Sequence, residues 1–245
     1  MTQEMLYDEC PRCNQGAVVF EPEIGVYRCE HCGLTLKKRS LLGFLKKDHL
    51  GITSLGPGDF TLAEQSLAKL SLTPDRLKVV IGNIYSDQQL ADIAGGALEL
   101  IRPVRTILAQ IILEQLKETC YIQVNGLRRA HGQALAEGGN YRPTEKVPRQ
   151  GLDWQDQGNL FGTDKHLVLP SDSFTFIRLD RKLSGVQAFT DGVAVQRQGE
   201  DYATYFVGCY PYEAALLAAF VLGKLPALRQ KSPQQDQELT APAQE

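Results

Sequence analysis

The sequence predicts an α+β protein built from a small metal-binding β-hairpin, a helical middle region, and an antiparallel β module closed by a C-terminal helix. Three observations predict this class: two Cys-x-x-Cys pairs near the N-terminus, repeated helix-start signals in the middle, and strand-like apolar alternation from Leu152 onward. The expected organisation is a cysteine module over 1–36, a basic linker over 37–59, a helical region over 60–118, a β domain over 119–226 and a disordered polar tail over 227–245.

Composition is that of an ordinary globular protein. Hydrophobic residues make up 43% and charged residues 22% of the 245 residues, which excludes a wholly disordered or fibrous chain. The 26 basic and 29 acidic side chains give a net charge of −3, which argues against a uniformly basic nucleic-acid binder. The longest apolar stretch, 214–222, is far shorter than the roughly 18–20 residues of a membrane span, and the acidic N-terminus does not have the form of a secretory signal. We therefore expect a cytoplasmic protein with reduced thiols.

Four of the six cysteines form two pairs, Cys10 with Cys13 and Cys29 with Cys32, separated by fifteen residues. Two residues between cysteines let one tight turn present both sulfurs to a single ion, and four thiolates suit tetrahedral Zn²⁺. The residues between the pairs are expected to form two short strands, so that the segment is a hairpin with a cysteine pair at each end. Such a closed site has no open coordination position, and it stabilises a segment too short to bury a sufficient core by itself.

Over residues 8–36 this pattern resembles the zinc ribbon family. His31 lies within the second cysteine turn and could replace a cysteine as ligand, but with four thiolates present we expect it to be a solvent-facing turn residue. Cys120 and Cys209 stand alone in apolar sequence and are predicted to be buried small hydrophobic residues.

A basic stretch follows the hairpin and contains no acidic residue. Its five cations are Lys37, Lys38, Arg39, Lys46 and Lys47. One interpretation is a basic face that contacts nucleic acid or an acidic partner, because ribbons often serve in transcription and RNA machines. The other is a solvated linker face that offsets the charge of a zinc-tetrathiolate. We favour the second, since five charges are a modest electrostatic footprint.

Helix-start signals follow one another in the middle region. Thr61–Glu64 and Ser86–Gln89 fit capping boxes, and Thr73 followed by Pro74 gives an N-cap with proline at the first helical position. Pro103 should kink or restart the last helix, whose apolar face continues to Leu116. Apolar residues at helical spacing most often pack into a core, so these segments are predicted to form a compact helical region.

The β module is predicted from turns that separate alternating segments. The segment 127–150 is rich in Arg, Gly and Pro and is expected to be a long loop. Turns are expected at Asp156–Gly158, at Asp191-Gly192 between two alternating runs, and at Gln198–Asp201. Pro211 should begin the closing helix over 212–225.

That order of elements is similar to the pleckstrin-homology (PH) and GRAM superfamily over roughly residues 120–225. The segment 156–169 resembles the family's β-hairpin, 176–186 its next strand and turn, and 191–195 the following hairpin, although His166 stands where an arginine is expected. Some members bind phosphoinositides in a basic pocket. Because the early strands lack a dense Lys/Arg cluster, the resemblance implies peptide or protein binding instead.

None of the four histidines stands beside an acid or a nucleophile in a recognised arrangement, so we predict a protein that is not an enzyme and infer no small-molecule substrate. The expected function is a non-enzymatic adaptor or assembly factor that binds partner proteins. An alternative is a nucleic-acid-associated factor that uses the basic stretch together with Arg12 and Arg28. A weaker alternative is peripheral membrane binding through the β module.

Overall fold

The computed structural model describes residues 4–39, 49–68, 70–104, 106, 109–110, 116–171 and 174–229. The chain divides into two compact units, Met1–Gln89 and Leu90–Glu245. Strands and helices occur in both units, so the predicted α+β class is confirmed. Among the described residues, no helix has the length and apolar character that spanning a membrane requires.

The first unit is built on a five-stranded antiparallel sheet whose strands follow one another in chain order: β1 (Met5–Tyr7), β2 (Val18–Glu21), β3 (Val26–Cys29), β4 (Thr35–Lys38) and β5 (Leu50–Ser54). The predicted hairpin between the cysteine pairs is confirmed as β2 and β3. The sheet continues through β4 and β5 into 37–59, where the sequence indicates a linker and a loop. Leu50 and Ile52 of β5 are buried. The sequence pattern does not indicate this strand, because Gly51 stands between the two apolar residues.

Short helices follow this sheet: α1 (Thr61–Leu67), α2 (Pro74–Gly82) and α3 (Asp87–Gly95). The capping box at the start of α3 is confirmed, because the Ser86 N–H donates to Gln89 Oε1 at 2.8 Å and the Gln89 N–H donates to Ser86 Oγ at 3.1 Å. The box expected at Thr61 does not form; Glu64 Oε1 instead accepts the Leu55 N–H at 3.1 Å. Most of the apolar face expected after Pro103 lies outside the described residues.

The second unit contains one eight-stranded sheet. Its strands are β6 (Cys120–Gln133), β7 (Gly138–Asn140), β8 (Asp153–Thr163), β9 (His166–Leu169), β10 (Thr175–Arg178), β11 (Leu183–Phe189), β12 (Gly192–Arg197) and β13 (Tyr202–Val207). They lie in the order β10-β9-β8-β6-β13-β12-β11-β7. The pairs are antiparallel except that of β7 with β11, which is parallel, so the predicted antiparallel module has a mixed edge.

Two local predictions for this sheet are wrong. The expected loop over 127–150 begins instead with the second half of β6, and the expected turn at Asp156–Gly158 lies inside β8. These two strands pair with register shifts between Val124 and Leu127 and between Arg129 and Ala130. Because bulges break the two-residue alternation on which the prediction depends, the sequence pattern of β6 does not indicate a strand.

The predicted closing helix is confirmed as α4 (Pro211–Lys224), which packs against β11 and β12. Glu213 Oε2 accepts the Tyr210 N–H at 2.9 Å and so caps its first turn. The residues 214–223 are all buried, as in a helix enclosed by its domain. A further short helix, α5 (Pro226–Arg229), buries Leu228, so the first residues of the expected polar tail are helical. The rest of that tail, 230–245, lies outside the described residues.

Candidate metal centre

The four predicted metal ligands converge in the first unit. The Sγ atoms of Cys10, Cys13, Cys29 and Cys32 all lie within 4.8 Å of one another. Two of the separations are 3.7 Å, between Cys10 and Cys32, and 3.9 Å, between Cys13 and Cys29. Four thiolates at about 2.3 Å from a tetrahedral centre lie roughly 3.8 Å apart. The sulfur spacing therefore fits one tetrahedral metal ion, and the predicted cysteine cluster is confirmed.

Each cysteine pair lies in a tight turn that directs backbone N–H groups at a sulfur. Cys10 Sγ accepts from the N–H groups of Arg12 and Cys13, and Cys29 Sγ accepts from those of His31 and Cys32. The turns are closed by the Asn14 N–H donating to the Cys10 carbonyl and the Gly33 N–H donating to the Cys29 carbonyl, both at 2.9 Å. N–H groups in this arrangement stabilise negatively charged sulfur and orient the ligands.

The protonation of the thiols couples metal binding to pH. Burial raises the pKa of the Cys10 and Cys32 thiols. At Cys29 burial acts in the same direction, but the N–H groups of Cys32 and His31 together with hydrogen bonds from the Cys10 and Cys32 thiols lower the pKa of that thiol overall. A metal ion requires all four sulfurs as thiolates, so its binding releases protons and weakens at low pH.

Arg12 joins the two cysteine turns to the loop that follows β5. Its Nη1 donates to the Cys32 carbonyl and its Nη2 to the Pro57 carbonyl, both at 3.1 Å. The guanidinium also lies over the Phe60 ring, 4.4 Å from its centroid. Gly56 passes so close that a Cβ there would lie 1.9 Å from the Cys32 carbonyl oxygen. Arg12 therefore supports the cysteine cluster, a role that the sequence does not indicate.

The other cations proposed for nucleic-acid contact have different surroundings. Lys38 Nζ lies 3.1 Å from Glu4 Oε1 and above the Phe20 and Tyr27 rings, and Arg39 donates to the Ala68 carbonyl. Lys37 is exposed, as is Arg28, whose strand partner is Thr35. Strand alternation places these two cations on the same face of the sheet. Lys46 and Lys47 lie outside the described residues, and His31 is exposed as expected.

A buried polar cluster in the second unit corrects the expectation that no histidine has an acidic neighbour. His166 Nδ1 lies 2.8 Å from Glu118 Oε1, and Thr163 Oγ1 donates to Glu118 Oε2 at 2.5 Å. The Thr163 oxygen also accepts the His166 N–H at 2.8 Å. The Glu118 side chain is 4% exposed and that of His166 is 24% exposed. These bonds connect the residues before β6 to the β8–β9 turn. The sequence does not indicate the cluster, because Glu118 is distant in the chain from both Thr163 and His166.

Thr163→Val should destabilise the second unit by about 1–3 kcal/mol, because it leaves the buried Glu118 carboxylate and the His166 N–H without their shared hydroxyl. Urea unfolding followed by circular dichroism measures this loss. The control is Thr119→Val at an exposed neighbouring position, which should stay within about 0.5 kcal/mol of the parent. Equal effects of the two substitutions would contradict a stabilising role for the cluster.

The two cysteines outside the metal centre are predicted to react slowly. Cys120 is 1% exposed and Cys209 is 6% exposed. Burial raises the pKa of Cys120 to about 11 and that of Cys209 to about 12. At pH 8 roughly one thiol in a thousand or fewer is then ionised, against about a quarter for an ordinary cysteine. Iodoacetamide should label both sites at least ~100-fold more slowly in the native chain than in denaturing urea, as measured by mass spectrometry; equal rates would contradict this.

Compared with the models of known protein families and with curated proteins, the chain gives no match in either set.

Proposed function

We propose that the chain is a non-enzymatic zinc-ribbon adaptor or assembly factor, in which Zn²⁺ stabilises the first unit and a PH/GRAM-like second unit binds partner proteins. The observation that carries this proposal is the closed set of four sulfurs. A tetrahedral ion held by four thiolates has no position left for water or substrate, so it stabilises a fold and performs no hydrolysis.

Zinc is the proposed ion because four sulfurs in tetrahedral geometry suit zinc or iron, and a closed hairpin site is typical of structural zinc. Elemental analysis of freshly purified chain should find one zinc per molecule. Iron in its place, with the visible absorbance of iron–thiolate bonds, would contradict the proposal.

The PH/GRAM-like assignment of the second unit is supported by its order of elements. One antiparallel run contains β6, β8, β9 and β10, a second contains β11, β12 and β13, and α4 follows the last strand. These seven strands and the closing helix agree with the resemblance over roughly residues 120–225, to which β7 adds an eighth strand at the edge. A module of this kind offers strand edges and loops for binding another protein.

The proposed function is tested by purifying the tagged full chain from its native host after reversible cross-linking. We expect one or a few proteins in near-stoichiometric amount, retained after nuclease treatment and in high salt. Recovery of nucleic acid alone, or of nothing beyond an empty-tag control, would overturn the adaptor proposal.

The second candidate function is nucleic-acid association, favoured by the two exposed cations Arg28 and Lys37 on one sheet face. It ranks second because Arg12, Lys38 and Arg39 make contacts within the fold.

The nucleic-acid candidate is tested by the salt dependence of binding to a labelled single-stranded RNA. A plot of log K against log salt concentration should have a slope of roughly −0.7 for each phosphate contact. The double substitution Arg28→Glu with Lys37→Glu should reduce that slope, whereas Lys165→Glu in the second unit should not. A salt-independent affinity would exclude phosphate contacts.

A further inference from the structure

An open groove of about 410 Å³ follows one edge of the sheet in the second unit. All four residues of β10 line it, together with Arg129 and His131 of β6 and with Arg197, Tyr202 and Thr204 of β12 and β13. The His131 and Tyr202 rings lie 4.3 Å apart, centroid to centroid, which fixes one wall. The groove is thus bounded on one side by a strand edge and on the other by polar and aromatic side chains.

The strand edge in this groove has backbone groups that point away from the sheet. β10 is at the end of the strand order and pairs with β9 alone among the described strands. The Leu179 N–H donates to the Lys165 carbonyl at 2.7 Å, and the register pairs Ile177 with Leu167. Since antiparallel ladders alternate, the backbone groups of Phe176 and Arg178 face outward. A row of outward N–H and C=O groups can pair with another extended chain.

Two exposed phenylalanines stand at the same edge. Phe174 is 42% exposed and Phe176 is 45% exposed, and their ring centroids lie 5.0 Å apart. Large apolar side chains exposed together often mark a binding surface. Beside an open strand edge, they offer a site for alternate side chains of an added strand.

The charges along the groove favour an acidic ligand. Three arginines line it, against the single acid Glu200. Arg129 is bonded to Asp156 at 2.8 Å, whereas Arg178 and Arg197 form longer salt bridges, 3.7 Å to Asp180 and 3.6 Å to Glu200. Partly exposed ion pairs contribute little to stability, so a peptide carboxylate can compete for either arginine. The Arg178 side chain is 72% exposed.

We propose that this groove binds an extended acidic peptide of a partner protein, which pairs with β10 as an additional strand. The peptide backbone bonds to Phe176 and Arg178, its carboxylates meet Arg178 and Arg197, and its apolar side chains rest on Phe174 and Phe176. The four residues of β10 span about 13 Å, so about four peptide residues can pair. A strand this short that ends in an arginine is poorly suited to pairing with a second copy of itself.

The inference rests on the proposed function as a partner-binding protein, and it is tested with a defined probe. Phe176 and Arg178 lie on the same face of β10, so the probe must present its apolar and acidic side chains on one face. The probe is a fluorescein-labelled eight-residue peptide that repeats Val-Thr-Glu-Thr, and its binding to the full zinc-loaded chain is followed by fluorescence anisotropy. We expect a Kd below 1 mM, and affinity at least tenfold weaker for the matching peptide with lysines in place of the glutamates. Two further probes carry N-methyl groups either on the valines and glutamates or on the threonines. One of them should lose binding, because only one set of amides faces β10.

Arg178→Glu should weaken binding of the acidic peptide at least tenfold. Its matched control is Arg181→Glu, an exposed cation near β10 that does not line the groove, and this variant should bind within twofold of the parent. Both substitutions are at exposed positions, and circular dichroism verifies that the variants are folded.

Several results would overturn the inference: no binding of the acidic peptide at 1 mM, equal effects of the two charge reversals, or equal binding of both N-methylated peptides. A dimer seen in analytical ultracentrifugation that Arg178→Glu abolishes and the peptide displaces would show that a second copy occupies the groove. These failures are distinguishable from failure of the adaptor proposal. If cross-linked partners are still recovered with the Arg178→Glu chain, the chain binds them elsewhere and only the groove is excluded.

Discussion

Removing the metal with a chelator, or replacing Cys29 with serine, is expected to unfold the five-stranded sheet of the first unit while the second unit stays folded. A structural Zn²⁺ contributes roughly 10–16 kcal/mol to the folding of small zinc modules. The strands of the first unit have only three to five residues each, so their burial cannot replace that contribution. Hydrogen exchange with mass spectrometry measures the outcome, since amides of β2 and β3 should lose protection while those of β6 and β13 keep it.

The control for this prediction is Cys209→Ser, which changes a buried cysteine outside the cluster. It should destabilise the second unit and leave one zinc per chain, whereas Cys29→Ser should lose the zinc. Equal thermal stability by calorimetry with and without zinc would contradict a folding role for the ion.

Gly56→Ala is expected to destabilise the first unit by about 3 kcal/mol, because two costs add at one position. The residue has φ +80°, which disfavours any side chain. The new Cβ would also meet the Cys32 carbonyl oxygen at 1.9 Å and Arg12 Nη1 at 2.7 Å. Moving that carbonyl distorts the second cysteine turn, so zinc affinity should fall together with stability. Urea unfolding of the zinc-loaded chain and competition with a metal indicator measure the two effects.

Gly25→Ala separates the two costs. Gly25 has φ +67°, but a Cβ there meets no atom within 4 Å. It should cost only about 1 kcal/mol and leave zinc affinity unchanged. If the two substitutions destabilise the chain equally, the contact between Gly56 and the cysteine turn has no energetic importance.

The cysteine cluster could be predicted from sequence because its geometry is local. Two residues between cysteines determine a turn, and the hairpin between the pairs brings the turns together. Arg12 could not be assigned in the same way, since its partners Pro57 and Phe60 are distant in the chain. A cation beside a cysteine pair indicates charge but not which carbonyl it binds.

In the β module, too, local features could be predicted from the sequence and features that depend on distant residues could not. A hairpin between β11 and β12 was predictable, because Asp-Gly between alternating segments is a short-range signal. The structure confirms the hairpin but places its turn one residue earlier, at Thr190-Asp191, since Phe189 pairs with Gly192. The second half of β6 was not predictable, because its bulges disturb the alternation and its arginines resemble loop composition. The mostly buried side chain of Arg129 is paired with Asp156, which lies opposite it on β8 and accepts two hydrogen bonds. Pairing of this kind depends on register, which the sequence alone does not supply.

The position of Arg12 also makes the loop after β5 a reporter of the cysteine cluster. The arginine follows the first sulfur pair directly, yet it holds a carbonyl from the second pair and stacks on an aromatic ring far along the chain. Loosening of either turn should therefore move the Arg12 guanidinium relative to that ring. The NMR signals of Phe60 should shift when the metal ion is removed. A side chain that does not contact the metal would then report whether the ion is bound.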